Sequence, residues 1–267
     1  SLAALRVVPG EDPGLETRDP GARCGLITKG AARTEQQAFT AELALLQNRL
    51  LAEGERSVLL VLQGMDAAGK DGTIRKVFTG VNPQGVRVTS FKAPTPDELA
   101  HDFLWRIHAR TPAAGEIGVF NRSHYEDVLV VRVEDLVAEP VWRARYAAIR
   151  HFEDQLAASG TTIVKVYLHI SAEEQARRFR SRLTEPAKRW KFSSGDLEVR
   201  AKWDQYREAY LDAIEETSTK AAPWYVVPAD QKKYRNWAVL QILVATLQDM
   251  DPQFPEPSED LDGIVIE

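Results

Sequence analysis

The sequence predicts a three-layer α/β/α sandwich built on a parallel sheet. Two observations carry this expectation. Strand-like apolar runs alternate with helical spacings along most of the chain, and the first such run passes straight into a glycine-bounded turn and a helix. Residues 1–34 form the exception: rich in Gly, Pro and Arg with little periodicity, they read as an extended, loosely packed N-terminal arm.

The elements follow in order. Phe39, Leu43, Leu46 and Leu50 share one helical face, and Gly54 is placed to stop that helix. Residues 57–63, SVLLVLQ, hold a continuous apolar run between Ser57 and Gln63, as a strand buried on both faces requires. Gly64 to Gly69 makes the turn, and a helix starts near Lys70. A second strand spans 86–91. Thr95-Pro96-Asp97-Glu98 then supplies a cap, a first-position proline and acids for a helix whose core face is Leu99, Phe103 and Ile107. A third strand spans 116–121, and Pro140 opens a helix carrying Trp142, Tyr146, Ile149 and Leu156. A fourth strand spans 161–170, and Ser171 with Glu174 forms a capping box. Pro186 and Gly195 break regularity over 184–198; a helix with Trp203, Tyr206, Tyr210 and Ile214 follows, then a last strand within 223–230 and a closing helix over 232–249. The expected organisation is an arm (1–34), one α/β domain (35–255) with an inserted segment at about 177–205, and a proline- and acid-rich tail (256–267) over the surface.

Composition narrows the classes. The chain has 267 residues, 44% hydrophobic and 27% charged, the balance of an ordinary globular protein. No apolar run approaches the length of a membrane span, and no charged segment followed by an apolar core opens the chain, so a cytoplasmic protein without membrane contact is expected. The single cysteine, Cys24, allows no intrachain disulfide and agrees with a reducing compartment. The net charge of −5 argues against a nucleic-acid partner. Against that acidic background, Arg177, Arg178, Arg180, Arg182, Lys188, Arg189 and Lys191 face only Glu185 between residues 177 and 191. Such a patch concentrates polyanions locally, although a solvated helix face would look the same.

Three stretches carry chemistry. The first is GMDAAGKDG, residues 64–72. It resembles the phosphate loop G-x-x-x-x-G-K-[ST], with Asp71 where the magnesium-binding hydroxyl belongs. Backbone amides of such a turn face an anion, aided by the helix N-terminus, and Lys70 can reach terminal phosphoryl oxygens. Asp66 and Asp71 would repel a bare phosphate but suit Mg²⁺, which takes hard oxygen ligands and bridges to phosphate. Asp66 is the expected metal ligand and could also accept a proton; metal ligand and helix cap are both open to Asp71. The second stretch, VFNRSHYED (119–127), ends the third strand, the edge that faces the ligand crevice in open parallel sheets. Asn121 stands where a metal-binding carboxylate is usual. Arg122 can stabilise charge on a transferred phosphoryl group, or simply pair with Glu126. The third is the basic run leading into the broken segment, which has the look of a lid that closes on phosphates.

Other features carry less. His101 and His108, seven residues apart, lack the partners of a zinc site. Trp190, Trp203 and Trp224 read as packing residues. No N-K-x-D base-reading motif is present, which counts against a GTPase.

Together, GMDAAGKDG, NPQGV, SFKAP, HDFLWRIH, VFNRSHYED, KRWKFSSGDL and APWYVVPAD resemble the polyphosphate kinase 2 family over residues 35–255. The resemblance implies a P-loop kinase of thymidylate-kinase-like fold with a helical lid. It also implies Mg²⁺-dependent phosphoryl transfer between inorganic polyphosphate and adenine or guanine nucleotides, and a homo-oligomer, dimer or tetramer. It puts the catalytic residues at Asp66, Lys70 and Arg122, with Asp66 on the metal. Polyphosphate would lie on Gly64, Ala67, Ala68, Gly69, Lys70, Asp71 and Gly72 and on Arg177, Arg178, Arg182, Lys188 and Lys191. The nucleotide would sit by Phe91, Lys92, Pro94, Asn121, Arg122 and Glu126. Asn121 through Glu126, read as N-R-S-H-Y-E, resembles the class III members acting on both mono- and diphosphates rather than the D-R-S-W-Y-N of diphosphate-specific members. Two other readings fit the residues alone: an ATP-dependent nucleoside or nucleotide kinase, and a non-catalytic polyanion-binding module.

Overall fold

In the computed structural model, all residues are described except 1, 24–28, 262, 263, 265 and 267, and the side chains of 29–33. Cys24 therefore lies outside the described residues. Five strands form one sheet in the order β2-β3-β1-β4-β5: β1 Ser57–Gln63, β2 Val86–Ser90, β3 Ile117–Asn121, β4 Thr161–His169 and β5 Trp224–Pro228. Every pairing is parallel. All seven residues of β1 are buried, because this central strand is covered on both faces. One helical layer is α1 (Lys29–Glu53), α2 (Lys70–Val77) and α10 (Lys232–Met250); the other is α5 (Glu126–Val133), α6 (Glu139–Ala158) and α9 (Trp203–Thr217). The three-layer expectation holds.

Three local expectations change. Residues 95–108 do not form one helix. The Thr95–Glu98 capping box starts a single turn, α3 (Pro96–Leu99), and a second turn, α4 (Trp105–His108), follows separately. Leu99 is consequently 68% exposed while Ile107 is buried, and His101 stacks on Trp105 instead of facing His108. At α7 (Ala172–Thr184) only half of the capping box forms: Ser171 Oγ accepts from the Glu174 amide, while the Ser171 amide donates to Asp230. The N-terminal arm is packed, not loose. Leu5, Val7 and Leu15 are buried, the Val7 amide donates to the Trp224 carbonyl at 2.9 Å, and the Val226 amide donates to Leu5 at 2.8 Å. The arm thereby covers the free edge of β5, which would otherwise offer unpaired backbone groups.

After α7, the broken segment contains a 3₁₀ stretch, Pro186–Lys191, and α8 (Gly195–Ala201); α10 (Lys232–Met250) closes the chain. No helix among the described residues is long and apolar enough to cross a membrane.

Candidate active site

The C-terminal end of β1 delivers the loop to the crevice beside the end of β3, as the topology of an open parallel sheet requires. Lys70 Nζ donates to the Gly64 carbonyl at 2.6 Å, so the loop closes on its own lysine. Burial, together with neighbouring Arg122, lowers the Lys70 pKa.

The loop is also gripped from below. Gln175 Nε2 donates to the Asp66 carbonyl at 2.9 Å. Arg178 Nη1 donates to the Ala67 and Ala68 carbonyls, both at 2.8 Å. Three successive carbonyls are thus turned toward α7. In a trans peptide the following N–H points the opposite way, so the amides of Ala67 and Gly69 turn toward the crevice. The Ala67 backbone is left-handed (φ 62°), a strained geometry of the kind stored at ligand sites.

Arg178 is consequently not available to a substrate. Its other donors go to Glu174 at 2.7 Å and to the carbonyls of Ala229 and Asp230 at 2.6 and 2.9 Å. All five guanidinium N–H groups are spent. The expectation that Arg178 binds polyphosphate gives way to a role as a strut beneath the loop. Ala68 changes likewise: its side chain is fully buried and its carbonyl faces down.

Gly69 is required twice over. Its φ is 107°, and a Cβ there would stand 2.0 Å from Nη1 of Arg235, a side chain that is itself buried. Gly69→Ala should cost about 2 kcal/mol of stability from backbone strain alone, measured as a shift in the urea midpoint. An unchanged midpoint would mean that the loop relaxes freely.

At the end of β3, Asn121 Nδ2 donates to Asp71 Oδ1 at 2.7 Å. Asp71 therefore ties the start of α2 to β3. It is not the helix cap, since Gly69 holds that position without a side-chain bond. Arg122 has a left-handed backbone (φ 61°) and its amide donates to the Leu62 carbonyl at 3.1 Å. Its guanidinium donates to Asp66 Oδ1 at 3.0 Å and lies 3.7 Å from Glu126 Oε2. Glu126 is held in turn by Gln63 Nε2 at 2.9 Å.

Two cavities meet at Asp66, Arg122 and Asp196. The larger, of about 960 Å³, is lined by thirteen cationic and four acidic side chains. The loop residues Ala67, Gly69, Lys70, Asp71 and Gly72 line it, as do Arg177, Arg182, Lys188 and Lys191. Three of these cations form ion pairs: Arg177 with Glu174, Arg182 with Asp196 and Lys188 with Glu185. Trp190 is 77% exposed on this wall, so its expected packing role does not hold; Trp224 is buried and Trp203 partly so. The smaller cavity, about 710 Å³, has Val130, Val199, Tyr206 and Tyr210 on its walls, with Glu126 and Gly64.

The expected nucleotide residues divide between the two. Phe91, Lys92 and Asn121 line the basic cavity, Glu126 the smaller one, Arg122 both, and Pro94 neither. The Phe91 ring is mostly buried, edge-on to Phe120 at 4.9 Å. Sequence reading missed the wall from α10, namely Lys232, Lys233, Arg235 and Asn236. One signal was available. The first turn of α10 is basic and carries no acid, against the helix dipole, and a broken local rule often marks function.

No group of three or more His, Cys, Asp or Glu able to hold a metal occurs among the described residues. Mg²⁺ needs no such cage, because it keeps waters and uses one or two carboxylates together with substrate phosphates. Asp66, on the shared wall with only Oδ1 taken up by Arg122, fits that mode.

The family model described as polyphosphate kinase 2 matches residues 27–255. The chain is 57% identical over 239 residues to the AMP/ADP-polyphosphate phosphotransferase of Meiothermus ruber, covering 90% of each protein. It is 49% identical over 226 residues to the ADP-polyphosphate phosphotransferase of Rhodopseudomonas palustris, covering 80% of this chain and 78% of that one. The crystal structure of polyphosphate kinase 2 from Arthrobacter aurescens TC1 superposes with a TM-score of 0.93 at 47% identity, covering 97% of this chain and 92% of the other.

Proposed function

Because this chain belongs to the polyphosphate kinase 2 family, we propose that it moves phosphoryl groups between inorganic polyphosphate and nucleoside mono- and diphosphates. The observation that carries this reading is the meeting of two unlike cavities at Asp66 and Arg122. Polyphosphate has charge and no apolar face, which matches the basic cavity. A nucleotide carries a base and ribose, which match the Val130, Val199, Tyr206 and Tyr210 walls of the smaller one. This moves the nucleoside away from the Phe91–Pro94 segment. The acceptor's phosphate then reaches the shared wall from one side and the end of the polyphosphate chain from the other.

In the forward direction an oxygen of the acceptor's terminal phosphate attacks the chain's terminal phosphorus. The bond to the next bridging oxygen breaks, and polyphosphate leaves one unit shorter. Lys70 neutralises charge on the transferred group, and Arg122 leaves Asp66 to stabilise its equatorial oxygens. The loop amides hold the donor in line, and Arg178 fixes the loop from beneath through the Ala67 and Ala68 carbonyls. Mg²⁺, held by Asp66, would add charge neutralisation across the phosphate oxygens.

The test is phosphorus NMR of the protein with Mg²⁺, AMP and long-chain polyphosphate, without ATP. ADP and ATP appearing together is the expected result. Turnover only when ATP is supplied would establish an ATP-dependent kinase, and binding without turnover a polyanion module. Polyphosphate affinity should also fall steeply with salt, because several cations displace counterions, while nucleotide affinity falls much less. A flat salt profile for polyphosphate would contradict the basic cavity as its site.

A further inference from the structure

The basic cavity has a floor that the lid does not supply. Arg235, in the first turn of α10, is only 2% exposed, and no carboxylate pairs with it among the described residues. Its Nε and Nη2 donate to Asn236 Oδ1 at 3.1 and 2.9 Å, and its Nη1 donates to the Ala68 carbonyl at 2.9 Å. Three donors are used, and two N–H groups remain. The guanidinium lies against the loop: a Cβ on Gly69 would fall 2.0 Å from Nη1, and one on Gly72 3.5 Å from Nη2. Burial and neighbouring Arg178 push Arg235 down to about 9, which still leaves it charged at neutral pH. Lys232, also on this cavity, is lowered by burial and by Arg178, Lys188 and Arg235. Cations crowd here without enough acids to balance them.

A buried cation without a counter-charge opposes folding, and is kept where something offsets it. We propose that Arg235 is an anion-binding residue whose counter-charge is the phosphate of the substrate seated on the loop, so that it weakens the empty protein and strengthens the complex. This rests on the reading of the basic cavity as the polyphosphate site. Arg178 beside it differs in kind, since a carboxylate, Glu174, pairs with it and all its donors are spent.

Removing Arg235 leaves the loop carbonyl satisfied, because Ala68 keeps Arg178 Nη1 at 2.8 Å. Asn236 Oδ1 is left with Thr73 Oγ1 at 3.5 Å, a hydroxyl that also donates to the Gly69 carbonyl at 3.1 Å and can turn to it. Melting temperatures of the full chain, Arg235→Met and Arg235→Lys would be measured with and without inorganic tripolyphosphate across a salt series. Arg235→Met should melt at or above the native chain when no anion is present. Its tripolyphosphate affinity should drop roughly tenfold, as for a lost charged hydrogen bond. The slope of log Kd against log salt should shrink by about one, and Arg235→Lys should retain the slope.

An Arg235→Met protein that melts lower without anion, or fails to fold, would make Arg235 a strut and overturn the proposal. So would a native-like tripolyphosphate response, or an Arg235→Lys slope reduced as in Arg235→Met. A native chain indifferent to tripolyphosphate would instead overturn the polyphosphate reading of the cavity, and this inference with it.

Discussion

Arg122→Ala is expected to lower polyphosphate-dependent turnover by on the order of 10³, with a much smaller change in the Michaelis constant for polyphosphate. The split follows from the geometry. Arg122 is one of many cations around the basic cavity, so ground-state polyphosphate binding survives its loss. It is also on the wall shared by both cavities, where the proposed transfer would spread charge over the moving phosphoryl group. Its partner there is Asp66 at 3.0 Å, which sets the guanidinium on that shared wall. Lys70→Ala should cost a similar factor, because Lys70 sits inside the loop. The alternative role for Arg122, a surface ion pair with Glu126, is measurable. That pair is 3.7 Å apart with Arg122 partly open to solvent, and such loose pairs contribute about 1 kcal/mol or less. If folded Arg122→Ala turns over polyphosphate at near-native rate, Arg122 is only a structural partner of Glu126 and leaves the mechanism.

The strand, loop and helix of residues 57–77 were legible because each rests on local chemistry: continuous burial, glycines at special backbone angles, and a helix start. The basic run over 177–191 was legible as charge density. The illegible parts depend on which way a side chain points in the folded chain. Arg177 and Arg178 are neighbours of the same type, yet one lies on the surface and the other spends every donor under the loop. Arg235 is far from the loop in sequence and reaches Ala68 only because α10 packs beside α2. The helix expected over 95–108 broke because capping signals fix where a helix starts and say nothing of its length. The smaller cavity is made by α5, α8 and α9 together, so no single stretch announced it.

Behind Arg122 lies a cluster that the chemistry does not touch, and removing its cation should have the largest effect on stability. Lys165 and Glu153 are fully buried, with Nζ 2.5 Å from Oε2. Lys165 also donates to Tyr125 Oη at 2.9 Å and to the Thr217 carbonyl at 2.7 Å, so its three protons meet three acceptors. Glu153 Oε1 accepts from Tyr125 at 2.7 Å and meets His124 Nε2 at 3.2 Å. Burial works to raise the Glu153 pKa, but Lys165 and His124 outweigh it and hold it below the usual range. Lys165→Met strands that carboxylate and should cost about 3–5 kcal/mol at neutral pH.

The sign with pH is opposite in the two proteins. In the native chain, the stabilisation tied to Glu153 is present above its unfolded value and is lost as pH falls through its lower folded one. In Lys165→Met, burial raises the folded value, so protonation relieves the variant. The gap between the two should therefore narrow as pH falls through the carboxylate range. Urea unfolding at neutral and acidic pH measures it, and a gap under about 1 kcal/mol at neutral pH, or one that widens in acid, would contradict the account. His124 and Tyr125 lie two and three residues beyond Arg122, whose left-handed backbone depends on where that segment is anchored. The folded variant should thus lose turnover while keeping the salt dependence of polyphosphate binding, since the basic cavity is built from the loop, α7 and α10 and does not include Lys165.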